Sequence, residues 1–285
     1  MTHVRRTRER GLHIAGMMAM LWLASLCGSA IPASAADSQA ETNWEYAVTP
    51  YVWLPNINGS FNYPVPPAAG GGNGNVSAGV GPNGYLSSLN FAAMLAGEAR
   101  RDRLSLVGDF INLNLSDNKS KLRSFSGPGG IVVIPVTFAA QTHISGTIAE
   151  GGVGYTLSRG SAGNLDVMLG VRYAGITSSL GWQITGPFQI FNPNGSVSTK
   201  VNLTDAIAGV RGRLNLGGHW YVPYYFDGGA GGSQFTWQAV GGFAYALNKS
   251  TTLQFVHRSL DYNAGNSALQ NVRFAGPALA ATFRF

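Results

Sequence analysis

Between residues 165 and 173 the odd positions are Leu165, Val167, Leu169, Val171 and Tyr173, while Asp166 and Arg172 stand on even ones. Side chains of a strand alternate between two faces, so this segment reads as a strand with one apolar face and one charged face. The parity recurs. From 205 to 216, Ala206, Ala208, Val210, Leu214 and Leu216 oppose Asp205, Arg211 and Arg213. From 220 to 227, Trp220, Val222, Tyr224 and Phe226 oppose Tyr221, Tyr225 and Asp227, and from 235 to 247 Phe235, Trp237, Phe243, Tyr245 and Leu247 oppose Thr236 and Gln238. Beyond the first 35 residues no stretch holds 18 consecutive apolar residues, which excludes transmembrane helices there. Alternating strands cross a bilayer in another way. A closed sheet pairs all its own backbone groups and turns one face to lipid and the other to its lumen.

Composition supports the same reading. Charged residues make up 11% of the chain, against roughly 25% in soluble domains. A soluble β-sandwich would also alternate, but aromatics at both ends of outward faces, as with Trp220 and Tyr245, are the mark of interfacial girdles. Short turns are expected at Arg101-Asp102, around 158–164, at Gly217-Gly218 and at Asn248-Lys249. They alternate with longer Gly/Pro/Asn/Ser stretches at 56–88, 117–131, 185–199, 228–234 and 263–271. Strands between them fall at about 44–54, 90–100, 104–115, 137–157, 165–183, 201–216, 219–227, 235–247, 251–262 and 272–285. The expected fold class is therefore all-β, a transmembrane antiparallel up-and-down β-barrel of about ten strands, with eight or twelve as alternatives. The least determined stretch is 56–88, where Ile57–Tyr63 reads either as an extension of the first hairpin or as a further strand, and Tyr85–Leu89 as a helical turn.

The N-terminus reads as an export signal. Arg5, Arg6, Arg8 and Arg10 precede an uncharged apolar run from Gly11 to Ile31, followed by Ala33-Ser34-Ala35. That order predicts a cleaved signal peptide over 1–35, a short periplasmic segment over 36–43 and the barrel over 44–285. Cys27, the one cysteine, lies inside the leader, so no disulfide or thiolate chemistry is expected of the mature chain. Without the leader's four arginines and one glutamate, 15 basic and 12 acidic residues remain, a balance that gives no case for nucleic-acid binding. Leu279, Ala281, Phe283 and Phe285 share one face of the last strand, and the aromatic end resembles the recognition signal read by barrel-assembly machinery, with Leu279, Phe283 and Phe285 as its elements. The expected location is the bacterial outer membrane, with its lipid and lipopolysaccharide as surroundings.

Parity also assigns an interior. Glu45, Glu98, Asp109, Glu150, Asp166, Asp205 and Asp227 fall on lumen faces, as do Arg172, Arg211, Arg213, Arg258 and Arg284. The phase is open to a flip at a bulge near Phe110–Ile111. Ten strands enclose a narrow space, so these charges should pair, with Arg forking onto carboxylates. The leading expectation is a polar-filled scaffold or surface-interaction barrel. The alternative is a narrow porin-like channel for ions or small polar solutes. Catalysis has weak support: three histidines lie beyond the leader, none at metal-ligand spacing, and no cofactor is expected. His257 and Ser259 lie two apart on one strand face, and Asp261 continues the row, a pattern similar to the His-x-Ser of outer-membrane lipid A deacylases. A lipid-modifying hydrolase is thus a third reading, and a non-enzyme the first.

Several segments in order resemble a group of uncharacterised proteobacterial outer-membrane barrel proteins of porin-like, small-barrel type. They are Thr49-Pro50-Tyr51-Val52-Trp53-Leu54-Pro55; Leu89-Asn90-Phe91-Ala92-Ala93-Met94 through Glu98-Ala99-Arg100-Arg101 to Asp109 and Leu115-Ser116-Asp117; Leu169-Gly170-Val171-Arg172-Tyr173; and Arg258-Ser259-Leu260-Asp261-Tyr262, followed by Gly276-Pro277 and Phe283-Arg284-Phe285. The resemblance implies an outer-membrane barrel and carries no substrate or catalytic residues with it. In that group the fourth block reads Tyr-Arg-Tyr-Leu, so His257 and Ser259 are departures from it.

Overall fold

The computed structural model describes residues 43–64, 73–86, 89–117, 121–126, 137–185, 194–265 and 269–285; the signal peptide expected over 1–35 and all but the last residue of the segment expected over 36–43 lie outside them. Ten antiparallel strands close into a barrel: β1 (Glu45–Trp53), β4 (Leu89–Arg101), β5 (Leu104–Asp117), β7 (Thr137–Gly160), β8 (Gly163–Thr185), β9 (Asn194–Gly217), β10 (Trp220–Gly231), β11 (Phe235–Ala246), β12 (Thr251–Asn263) and β13 (Leu269–Arg284). Closure runs along β1 and β13, with Ala47 opposite Arg284 and Val52 opposite Leu279. At the seam's end Tyr46 and Phe285 exchange backbone hydrogen bonds of 3.0 Å in each direction.

Three further strands lie in stretches where the composition suggested loops. They are β2 (Asn56–Pro64), β3 (Asn73–Val80) and β6 (Lys121–Ser126). Leu54-Pro55 interrupts the first strand, since proline has no N–H for the ladder. The chain then resumes as β2 on the other half of β13, with Ile57 opposite Phe274 and Val272 opposite Gly59. β3 pairs with β2, and β6 with β3, which adds a small annex at one rim. β9 likewise starts at Asn194 and β10 runs on to Gly231, inside stretches read as loops. These segments are rich in Gly, Asn and Ser, which have low strand propensity. Pairing with a neighbour's backbone holds them extended. The helical turn expected over Tyr85–Leu89 lies slightly earlier, at Pro82–Tyr85.

The short turns, at 102–103, 161–162, 218–219 and 247–250, share one rim with the ends of β1 and β13. The turn after β7 depends on Gly163, whose φ of 146° lies where L residues are strained, and a Cβ there would stand 2.0 Å from the carbonyl oxygen of Arg213. Gly163→Ala is expected to cost about 1–3 kcal/mol in urea unfolding of the refolded barrel, from backbone strain with the clash added. Gly160→Ala, where a Cβ meets nothing within 4 Å, serves as the control.

The outer wall carries an apolar band. Leu169, Val171, Phe255 and Leu279 are each more than half exposed on it. On β8 it runs the nine residues from Leu165 to Tyr173, matching the roughly 9–11 residues a tilted strand needs to cross a bilayer. Aromatics border it at the turn rim, where Tyr46 stacks on Phe285 at 6.0 Å; Trp220 and Tyr245, read from sequence as marking both ends of the outward faces, stand opposite each other at this one rim, edge-on at 4.9 Å. At the opposite border outward polar groups begin, with Tyr173 donating to Asn202 at 3.1 Å and Asn112 to Thr147 at 2.8 Å. The twelve residues of β8 from Ala174 to Thr185 continue past that border, roughly 40 Å of strand paired with β7 and β9.

Candidate functional site: the barrel lumen

Register decides which side chains meet inside. Through the stretch where a phase flip was open, pairing is continuous: Asp109 faces Glu150, Phe110 faces Ala149 and Ile111 faces Ile148. Asp109 and Ile111 therefore both point inward, and Ile111 is almost fully buried.

Two tiers of ion pairs cross the lumen. In the tier nearer the turn rim, Arg211 reaches Glu98 at 2.7 Å from the wall four strands away, and approaches Asp166 at 3.6 Å. Arg100 bridges Glu98 at 2.8 Å and also Asp166, which accepts from Thr156 Oγ1 at 2.8 Å as well. In the second tier Arg172, wholly buried, holds Glu150 at 2.8 Å and Asp227, and donates to Thr236 at 3.0 Å. Arg258 crosses from β12 to Asp109 on β5 at 2.7 Å, donates to Gln238 at 2.8 Å and lies 5.0 Å from the Trp53 ring. Tyr51 donates to Asp109 at 2.6 Å, and Gln238 donates to Glu150 at 3.3 Å. A buried charge left alone is costly, and here each guanidinium meets two carboxylates.

Of the residues assigned to the lumen from sequence, Glu98, Asp109, Glu150, Asp166, Arg172, Arg211, Asp227 and Arg258 are joined in these tiers. Asp205 is fully buried and sits opposite Arg172 in register, yet its Oδ1 accepts from the backbone N–H of Ser233 at 2.7 Å and so anchors the turn between β10 and β11. Glu45, Arg213 and Arg284 lie outside the tiers, at the turn rim. Arg213 stands over the Tyr221 ring at 5.5 Å, and Arg284 donates to Thr252 at 3.2 Å. Arg100 belongs to the network and was missed, although it shares the parity of Glu98. Tyr51 and Thr156 were missed too, and Thr236 and Gln238, placed by parity on the inward face, were given no part in the network; neutral residues carry no charge signal.

The polar filling expected of the lumen extends over the two tiers and stops there. Beyond the second tier, toward the loop rim, Trp53, Ile57, Met94, Ile111, Ile148, Ile176, Leu203, Leu260, Tyr262 and Phe274 pack into one buried apolar cluster. The lumen is thus charged within the membrane band and apolar past it. On the turn-rim side a cavity of about 560 Å³ remains, reaching from Glu45 and Arg213 inward to Gln238 and Arg258.

His257, Ser259 and Asp261 alternate with the inward Arg258, Leu260 and Tyr262, so they belong to the outer face of β12. His257 is exposed, Ser259 is buried, and no hydrogen bond among the described residues joins the two. Leu279, Phe283 and Phe285 also face outward, the last three-quarters exposed.

No known family matches this chain. Nor does any curated protein sequence match it. Among solved structures it is similar to the outer membrane protease OmpT from Escherichia coli, at a TM-score of 0.55 and 10% identity over 86% of this chain and 98% of that one. Neisserial surface protein A aligns at a TM-score of 0.29 and 11% identity, covering 85% of this chain and 99% of its own. OpdK from Pseudomonas aeruginosa, solved with vanillate, aligns at 0.28 and 8% identity, covering 85% and 98%. The likeness to OmpT is one of fold, a closed antiparallel β-barrel.

Proposed function

We propose that this chain is an outer-membrane scaffold or surface-interaction barrel whose lumen does not pass solutes. One observation carries the reading: ion pairs between walls four strands apart cross the lumen at two levels, and an apolar cluster fills the space beyond them. An ion crossing this barrel would have to break those pairs and then enter an apolar core, each at the desolvation cost of a buried charge. In bacterial barrels short turns face the periplasm and long loops the exterior, which puts the paired extension of β7, β8 and β9 on the cell surface. Its outward Ser198, Lys200 and Asn202 are exposed and polar, suited to contact with lipopolysaccharide headgroups or a surface partner. Export by a cleaved leader and insertion by barrel-assembly machinery through the Phe285 end belong to the same proposal. No catalytic step is assigned to His257 and Ser259, which occupy the lipid side of the wall.

Planar-bilayer recording of the refolded mature chain tests it. The wild type should be silent once folding is confirmed by heat-modifiable gel mobility. Steady conductance that shifts in Arg211→Ala would instead establish the narrow-channel reading.

A further inference from the structure

The arginines of the lumen fall into two groups. Those in the tiers are committed to carboxylates, whereas the mouth of the cavity holds Arg159, Arg213 and Arg284, which make no ion pair among the described residues. Their contacts are neutral: a backbone carbonyl at Asp102, the Tyr221 ring and the Thr252 hydroxyl. Glu45 is the one acid at that mouth, and it is exposed. The deeper acids are each paired with an arginine, Glu98 through Oε1 with Arg100 and Arg211. Both oxygens of Asp109 accept hydrogen bonds, from Tyr51 and Arg258, and both oxygens of Asp166 likewise, from Thr156 and Arg100. The potential inside the mouth is therefore set by three cations without an ion pair against one exposed carboxylate, in a cavity whose described lining carries six arginines to five acids, and a concave low-dielectric wall concentrates such a field.

We propose that the turn-rim cavity binds a small anionic solute, a carboxylate or phosphate, whose charge sits between Arg213 and Arg284 and whose body lies among Tyr221, Gln254 and Thr282. Arg213 on β9 and Arg284 on β13 stand four strands apart around the wall, so they flank the mouth from opposite sides. At about 560 Å³ the cavity falls within the roughly 300–1,000 Å³ of small-molecule sites. The walls supply what such a ligand needs beyond charge: hydroxyl and amide groups from Gln254 and Thr282, and a ring face from Tyr221. Access is from the turn rim alone, because the second tier and the apolar cluster close the other end. The site thus goes beyond a non-conducting barrel and fails separately from it, since one is read by calorimetry and the other by conductance.

The experiment is isothermal titration of the refolded barrel in neutral detergent with inorganic phosphate and, separately, with succinate, using glucose as the uncharged control. Saturable heat is expected with at least one anion and none with glucose; which anion binds identifies the ligand's acidic group. Arg213→Gln/Arg284→Gln should weaken that binding by at least about tenfold, because charge-assisted hydrogen bonds each contribute on the order of a factor of ten. Arg213→Lys/Arg284→Lys should retain most of it, and Arg273→Gln on the outer wall should leave it unchanged. If the double Gln variant does not refold, Arg213→Gln alone, at an exposed position, takes its place with a smaller loss. Absence of anion heat in the wild type, binding unaltered in the Gln variant, or equal weakening by Arg273→Gln would each overturn the proposal.

Discussion

Arg172→Met is expected to destabilise the barrel by about 3–5 kcal/mol, the cost of leaving carboxylates buried without their cation. Glu150 and Asp227 both depend on this one guanidinium, which is itself wholly buried and also donates to Thr236. Glu150 keeps a weaker contact to Arg258 at 3.5 Å, but Asp227 keeps no other cation among the described residues. Urea unfolding in lipid vesicles, followed by heat-modifiable mobility, measures the change. Arg213→Gln at the exposed rim should stay within about 0.5 kcal/mol of wild type. Adding Asp227→Asn and Glu150→Gln to Arg172→Met should recover part of the loss, since the stranded charges are removed together. A single Arg172→Met that unfolds like wild type would mean that the tier does not hold the wall in shape.

Leu169→Arg tests the other face of the same strand. Leu169 is the middle of the outward run from Leu165 to Tyr173 and one of the most exposed apolar side chains. At the centre of a bilayer an arginine on the lipid face costs about 2–4 kcal/mol, against roughly 0–1 near the interface. Leu169→Arg should therefore lose most of that range in vesicle unfolding, while Tyr173→Arg, at the polar border marked by Asn202, should lose little. Equal effects at both positions would place the hydrocarbon band elsewhere on the wall.

The charged interior was legible in the sequence because lipid excludes charge and the lumen accepts it. Wherever Asp or Arg stands on a strand, its parity names the inward face, and eight of the assigned residues meet in the two tiers. Arg100 was equally readable, since it shares the parity of Glu98 in the strand expected over 90–100. The apolar filling was not readable. Ile148, Ile176 and Leu203 look inward past the membrane band, where the outward neighbours Thr147, Thr177 and Thr204 are the polar ones. There the sense of the alternation inverts: lipid no longer requires apolar residues outside, and the interior needs them within.

By itself the sequence determined that the chain forms an antiparallel membrane barrel, where its short turns fall and which face of each charged strand points inward. These follow from period-two chemistry and from the absence of long apolar runs, both local properties. Only the tertiary structure decided which charges pair. Arg258 chooses Asp109 across the lumen, Arg172 reaches past its register partner Asp205 to Asp227, and β2 takes over half of β13 after Pro55. Closure of the sheet brings strands together that lie far apart in the chain, and the reach of a guanidinium across a narrow lumen is set by that closure, not by neighbours in sequence.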